Sequence, residues 1–295
     1  MFNVAPVVAI WLAWFFVAAN VVGTKFATPY AASTLFMLLS CTVAAVCFIP
    51  YLVKTGGWKT LLAKKVWPQC LLMATFGTAL PMTFFLLALN YTTPANAAIL
   101  NQFEIVYSLI LAYFLLGEKP TGKQIGGSLL IVLGVGVLLW QTGISVQLKG
   151  DLLILGTLWM FQVSHIFAKK LPKDMPPALI AAARAIFAIP VLAVFCAVLF
   201  TVQGPLLFTP TWVLWVTLGF SAICNYFIGN TFWYTAIRNM DLGKATAIIL
   251  SYPVMTFILS VLLGQDTVNT YKVLGLILAL SGAYIVTGII KGDKK

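Results

Sequence analysis

The sequence predicts an all-α integral membrane protein, with ten transmembrane helices arranged as a 5+5 inverted repeat and both termini cytoplasmic. Three observations carry that expectation. Of the 295 residues, 61% are hydrophobic and only 8% charged, against about a quarter charged in a soluble domain, so water is not the main solvent. Apolar runs long enough to cross a bilayer as helices recur along the whole chain. The two halves of the chain also repeat one another at a nearly constant spacing.

The expected spans are 4–24, 31–53, 66–89, 93–116, 121–141, 150–170, 177–201, 211–236, 243–264 and 271–290. The first lacks the basic start and small-residue cleavage site of a signal peptide and is expected to stay in the mature chain. Residues 90–92, 117–120 and 239–242 leave room only for tight turns between antiparallel neighbours. Placing the N-terminus inside puts fourteen basic residues on the cytoplasmic side: Lys54, Lys59, Lys64, Lys65, Lys119, Lys123, Lys169, Lys170, Lys173, Arg238, Lys244, Lys291, Lys294 and Lys295. Only Lys25, Lys149 and Lys272 remain outside, and basic loop residues set orientation. The net charge of +11 is thereby a matter of topology, and with no basic module to dock a duplex, no nucleic-acid partner is expected. Five cysteines lie inside apolar runs without zinc-ligand spacing; neither metal nor cofactor is expected.

The repeat pairs Ala88 with Ala236, Ala97 with Ala245, Val106 with Val254, Gly127 with Gly275 and Gly134 with Gly282 at an offset of 148. Trp67 and Phe84 pair with Trp215 and Phe232 at the same offset, and Trp14 and Lys25 with Trp159 and Lys170 at 145. The halves are therefore 1–146 and 147–295. Five spans per half is an odd number, so the second half inserts upside down. Duplicated inverted halves commonly place a solute site where they meet, near the midplane.

The third-span end ALNYT, the following PANAAIL, then LLGE and IGGSLLIVLGVGVLL resemble the EamA-type repeat of the drug/metabolite transporter superfamily. The resemblance covers nearly the whole chain. In the second half the Gly-Glu of that pattern becomes Gly264-Gln265-Asp266, and the arginine such repeats often carry in the second helix is found in the seventh, as Arg184. The resemblance implies a transporter of small metabolites working by alternating access, with a central cavity formed by both halves and export the commoner direction.

The residues themselves point to one place. An ionisable group at the bilayer centre costs about 2.5–3.5 kcal/mol on insertion scales, so it is expected to face a cavity or a partner. Glu104 falls at the midpoint of the fourth span, with Ala97, Asn101 and Ser108 on its face. Its repeat mate is Tyr252, followed by Pro253, whose ring is expected to interrupt the ninth helix and free a carbonyl near residue 249. Pro81 offers a similar break in the third span, where a packing kink is the plain alternative. Trp14 and Trp159 sit deep in their spans and, with Tyr107, Trp233 and Tyr234, offer aromatic faces to a cation or planar ring, core packing being the alternative for each. Gln162 and the sole histidine, His165, lie on the sixth span toward the cytoplasm, a position suited to hydrogen bonding and to a proton relay. Arg184 has three readings: snorkelling to lipid, pairing with an acid, or taking a carboxylate. Asn225 and Asn230 are divided between cavity lining and interhelical bonding. Glu118 and Lys119 read as a cap and hinge, and Gly126, Gly127, Gly134, Gly275 and Gly282 as surfaces for close helix packing.

The sequence thus predicts a proton-coupled secondary transporter of the inner (cytoplasmic) membrane that exports a small polar solute, an amino acid, amine or quaternary ammonium compound. Substrate contacts fall to Trp14, Asn101, Glu104, Tyr107, Trp159, Gln162 and Tyr252, and proton coupling to Glu104 and His165. Its partners are the solute, protons and the lipid bilayer, with the chain a monomer or homodimer. An uncoupled facilitator or exchanger is the alternative within transport, and a helper subunit the alternative outside it. A membrane enzyme has no Ser/His/Asp order, HExxH or metal cluster to support it.

Overall fold

The computed structural model describes residues 4–116, 120–142, 146–169, 171–172, 174–239, 248–249 and 251–286. Among these there is no strand, only an isolated bridge between Ala31 and Phe208. In chain order the helices are α1 (Pro6–Ala27), α2 (Ser33–Thr55), α3 (Trp67–Ala88), α4 (94–116) and α5 (Gly122–Thr142). They continue with α6 (Val146–Lys169), α7 (Pro177–Gln203), α8 (212–239), α9 (Tyr252–Leu262) and α10 (Thr270–Val286). A single helical turn, Gly57–Leu61, follows α2, which stops at Gly56 where φ of 64° is left-handed.

Six of these helices are long and apolar enough to cross a membrane: α1, α2, α3, α5, α7 and α8. Of the other four, α4 is divided by a 3₁₀ turn and α6 has polar residues from Gln147 to Asp151 at its start. The described parts of α9 and α10 are shorter than the spans 243–264 and 271–290, because residues 240–247, 250 and 287–295 lie outside the described ones. Around the bundle, large apolar side chains such as Val53, Phe114, Trp140, Trp212 and Leu262 point outward, with Trp140 80% exposed. Small polar residues, among them Ser40, Asn96, Ser221, Thr256 and Ser260, are wholly buried between helices. That inversion of the soluble pattern suits a lipid surround.

The tightest helix pair is α5 against α10. A Cβ on Gly127 would lie 2.7 Å from the Gly282 carbonyl, and one on Gly134 2.8 Å from the Gly275 carbonyl, closer than real Cβ atoms come. Gly127 repeats as Gly275 and Gly134 as Gly282, so each glycine faces the mate of the other. A two-fold axis produces that cross-pairing in an antiparallel pair. Gly126 departs from the expectation, since it faces open space and takes no part in the crossing.

Two helices carry π-helical turns, Thr75–Ala79 in α3 and Phe220–Gly229 in α8. The repeat offset carries 75–79 onto 223–227, inside the second turn, so the irregularity belongs to both copies. Such bulges often occur at functional sites.

At one end of the bundle the connections are tied together by polar contacts. The Ala32 amide donates to the Leu207 carbonyl at 2.8 Å and the Thr209 amide to the Tyr30 carbonyl at 2.7 Å. Lys25 donates to the carbonyls of Leu89 and Thr92, the Thr92 hydroxyl donates to buried Asp151 at 2.5 Å, and the Gln265 amide donates to the Val22 carbonyl at 3.1 Å. Lys272 and Asp266 form an ion pair with side chains 4% and 2% exposed. We refer to this as the tied end.

Placing a β-branched side chain at Gly134 or Gly282 is expected to lower stability by about 1–3 kcal/mol, the usual penalty of overpacking, or to prevent folding. Gly126→Ala is expected to leave the melting temperature in detergent within error of wild type, so a destabilised Gly126→Ala protein would contradict the crossing.

Candidate functional site

Each wall of the site is set by a break in a helix. Thr93 caps α4, its hydroxyl accepting from the Asn96 amide at 3.2 Å, and Pro94 occupies the first turn. The helix runs to Leu100, tightens into the 3₁₀ turn Asn101–Phe103 and restarts at Glu104. In the second half the helix restarts at Tyr252, the repeat mate of Glu104, with Pro253 in its first turn. Helical residues 248 and 249 precede the break, so the ninth span is interrupted where expected, with Pro253 just after the break in the first turn of the restarted helix. The residues before it close a turn, with the Ser251 amide and hydroxyl both donating to the Ile248 carbonyl, at 3.1 and 2.7 Å.

These breaks put polar side chains opposite one another. The Gln162 amide of α6 donates to Glu104 Oε1 at 2.7 Å. The Asn101 amide of α4 donates to the Tyr252 hydroxyl at 2.7 Å, linking the two restarts directly. The Trp14 indole N–H of α1 donates to the Ser251 hydroxyl at 3.0 Å. Asn101 Oδ1 is buried and accepts from no group among the described residues. Glu104, Asn101, Gln162 and Tyr252 all keep partial exposure, and their bonds form a polar cluster shared by α4, α6 and α9.

A second polar knot lies within electrostatic reach of Glu104. Arg184, on α7, donates to the Gly77 carbonyl, to the Thr78 hydroxyl at 3.1 Å and to the Tyr234 hydroxyl at 3.3 Å. Gly77 and Thr78 belong to the π turn of α3, and Pro81, four residues after Gly77, has no N–H to offer that carbonyl. The guanidinium thus turns inward and does not snorkel. Ser164 of α6 crowds the same spot: a Cβ on Gly77 would meet its hydroxyl, which donates to the Met73 carbonyl at 2.9 Å. Gly77, Thr78 and Ser164 were not among the expected site residues. The spacing from Pro81 back to Gly77 was the available signal for the first two.

Of the remaining expected residues, Tyr107 packs edge-on against Phe103 at 5.5 Å between ring centroids. Trp159 lies beside Phe76 at 6.2 Å and is 37% exposed. Tyr234 is held by Arg184, and Trp233 packs against the apolar core. Asn225 and Asn230 meet inside the π turn of α8, where the Asn230 backbone amide donates to the Asn225 carbonyl. The side chains of Ser108 and His165, and residues Glu118, Lys119, Lys170 and Ala245, lie outside the described ones. No cluster of His, Cys, Asp and Glu able to hold a metal occurs among the described residues.

An apolar helical bundle that holds an acid and an arginine beside irregular turns in its helices fits the build of a membrane transporter. The chain belongs to the EamA-like transporter family, whose model matches it twice, over residues 4–140 and 148–288. It is similar to the uncharacterized transporter YyaM of Bacillus subtilis, with 23% identity over 85% of this chain and 83% of that one. An uncharacterized transporter of Archaeoglobus fulgidus is 28% identical over 81% of this chain and 83% of its own. A protein of Escherichia coli named "Probable amino-acid metabolite efflux pump" is 26% identical over 68% and 70%. One crystal structure matches 96% of this chain and 97% of its own with a TM-score of 0.66 at 19% identity, a likeness of fold.

Asn101→Ala and Tyr252→Phe together are expected to cost less than the sum of the two alone, with a coupling of about 0.5–1.5 kcal/mol in a double-mutant cycle of detergent unfolding. Strict additivity would mean that the two restarts are not joined through that bond.

Proposed function

We propose that the protein is a proton-coupled secondary transporter of the inner membrane that exports a small polar organic solute of the amino acid, amine or quaternary ammonium type by alternating access. The observation that carries this reading is the Glu104 carboxylate at the middle of a divided helix, held by the uncharged amide of Gln162. A carboxylate held by a neutral partner, with no cation paired to it, stays open to a proton or a cationic solute, as an intramembrane acid in a transport path requires. Glu104 carries the proton, and His165, nearer the cytoplasmic end of α6, relays it. Asn101, Gln162 and Tyr252 supply hydrogen bonds, and Trp14, Tyr107 and Trp159 supply apolar faces.

In this reading all ten helices cross the bilayer as inverted halves, 1–146 and 147–295, with both termini cytoplasmic. The cross-paired glycines of α5 and α10, the matched π turns and the bias of basic residues support it. The tied end is then the extracytoplasmic one, closed by Lys25, Thr92, Asp151 and Gln265. The names of relatives support the solute class, one of them being described as an amino-acid metabolite efflux pump.

In proteoliposomes with an imposed proton gradient, Glu104→Gln is expected to reduce gradient-driven solute flux by about tenfold or more, the loss of roughly 1.4 kcal/mol of coupling. Unchanged coupling in that variant would remove Glu104 from the mechanism and leave an uncoupled facilitator. Cysteines placed singly at Asn90 and Lys54 of a cysteine-free protein are expected to react with an impermeant thiol reagent from outside and from inside respectively. The opposite pattern would reverse the topology.

A further inference from the structure

We propose that Asp151 is a second proton-binding residue of the transporter, the one that takes protons from the extracytoplasmic side. This rests on the transport reading and gives that reading its outer proton site.

The first ground is how the acid is held. Asp151 is wholly buried near the start of α6, and no ion pair joins it to a cation among the described residues. Its Oδ1 accepts from the Thr92 hydroxyl, while its Oδ2 is buried without a closed bond. The Asn96 side chain lies within reach of the same carboxyl and bonds nothing else among the described residues. A hydroxyl and a carboxamide can each donate to a carboxylate or accept from a carboxylic acid, so both neighbours serve either form. An ammonium offers donors alone and would hold the acid charged. Lys272 of α10 is in electrostatic reach but is in contact with Asp266. Glu104 is met in the same way, by the amide of Gln162. Asp151 can therefore gain or lose a proton when a hydroxyl or an amide rotates, with no helix displaced.

The second ground is where the acid stands. Asp151 and Gln162 lie on one face of α6, three turns and roughly 16 Å apart. Ile154 and Leu158, between them on that face, are buried and apolar, so the face carries no proton between the two acids. Each acid then answers to its own side of the bundle, and Asp151 is at the tied end. The remaining charged groups there are Lys25 of α1, Asp266, and Lys149, which neighbours Asp151 on α6 and is exposed. Helix α3 has no charged residue, and those of α4 and α5, Glu104 and Lys123, lie farther along the bundle.

The contacts that close the tied end run through the same group. Lys25 holds the Thr92 carbonyl, and a Cβ on Gly150 would come within 2.7 Å of the Ala88 carbonyl, so α6 starts hard against the turn that Lys25 grips. Charged, Asp151 draws a strong bond from Thr92 and attracts Lys272; with a proton it does both less. A proton arriving from outside thus loosens the end at which it arrives.

The test uses the purified full-length protein in liposomes. Infrared difference spectra across a pH titration follow the carboxyl stretch of protonated acids. Asp151→Asn is expected to remove one titrating component and Glu104→Gln another. Thr92→Val takes a donor from the charged form and should move the midpoint of the Asp151 component up by about one pH unit, a shift that a merely structural role would not produce. Efflux of a labelled mixture of standard amino acids, choline and putrescine is then followed with the inside pH fixed and the outside pH varied. The ratio of rates into acidic and alkaline medium should fall about tenfold in Asp151→Asn. An Asp151→Asn protein that keeps every infrared component and the wild-type ratio, while Glu104→Gln loses its own component, would overturn the outer site and leave transport standing. Should Asp151→Asn fail to fold, an unmoved midpoint in Thr92→Val would overturn it equally. Folded wild-type protein that carries nothing in the mixture would instead overturn the transport reading on which the proposal rests.

Discussion

The Gly77 carbonyl has no N–H from Pro81 to bond it, lies inside an apolar bundle, and is met by the guanidinium of Arg184. Where water is excluded, each backbone polar group has to be satisfied by another protein group, and much of this fold follows from that demand. It explains how an arginine can sit among buried helices, since its donors replace helix hydrogen bonds that the chain cannot make for itself. It also joins α3, α7 and α8, because the same guanidinium reaches Thr78 on one side and Tyr234 on the other. Loss of one contact here leaves a buried donor and a buried acceptor unpaired together, a larger penalty than the worth of a single hydrogen bond.

The repeat supplies symmetric frames and then fills them unequally. The π turns, the helix restarts and the glycine crossings all recur at the same offset. Gly77 and Thr78 repeat as Asn225 and Tyr226, but α2 carries no arginine to meet them. There the Tyr226 hydroxyl donates instead to the Met37 sulfur at 3.4 Å, a weak acceptor in an apolar setting. Glu104 likewise repeats as Tyr252, a donor and acceptor without a charge at the pH of a cell. Glu104 and Arg184 therefore both arise where one copy has departed from the other: the acid in the first half, the arginine in the second.

Much of the frame was legible in the sequence because apolar spacing and glycine positions follow directly from helix geometry. Gly127, Gly134, Gly275 and Gly282 recur seven residues apart, which returns each pair to one helix face. Gly126 carried the same composition signal and faces away, since one residue is a turn of a hundred degrees. The Glu104 face was legible from the energetic penalty of an intramembrane acid, and Gln162 from its place on a neighbouring span. The direction of Arg184 was not, because snorkelling and inward pairing make the same demand on sequence and only the fold of α3 decides between them. Pro253 marked the interruption of the ninth span, but a proline reads alike at the start of a helix and in its middle, and its place just after the turn at Ser251 comes from the fold.

The protein treats its charges differently by depth. At the tied end Lys272 and Asp266 are in direct contact and almost wholly buried. At the middle Glu104 and Arg184 are each held by neutral partners and retain partial exposure. Unit charges 4 Å apart attract by about 4 kcal/mol at an effective dielectric of 20, so a direct pair at the middle would lock α4 against α7. A neutral amide on the acid and neutral oxygens on the arginine orient both groups without cancelling them. Under the transport reading, contact suits a closure that has to hold, and separation keeps each group open to something that arrives and leaves.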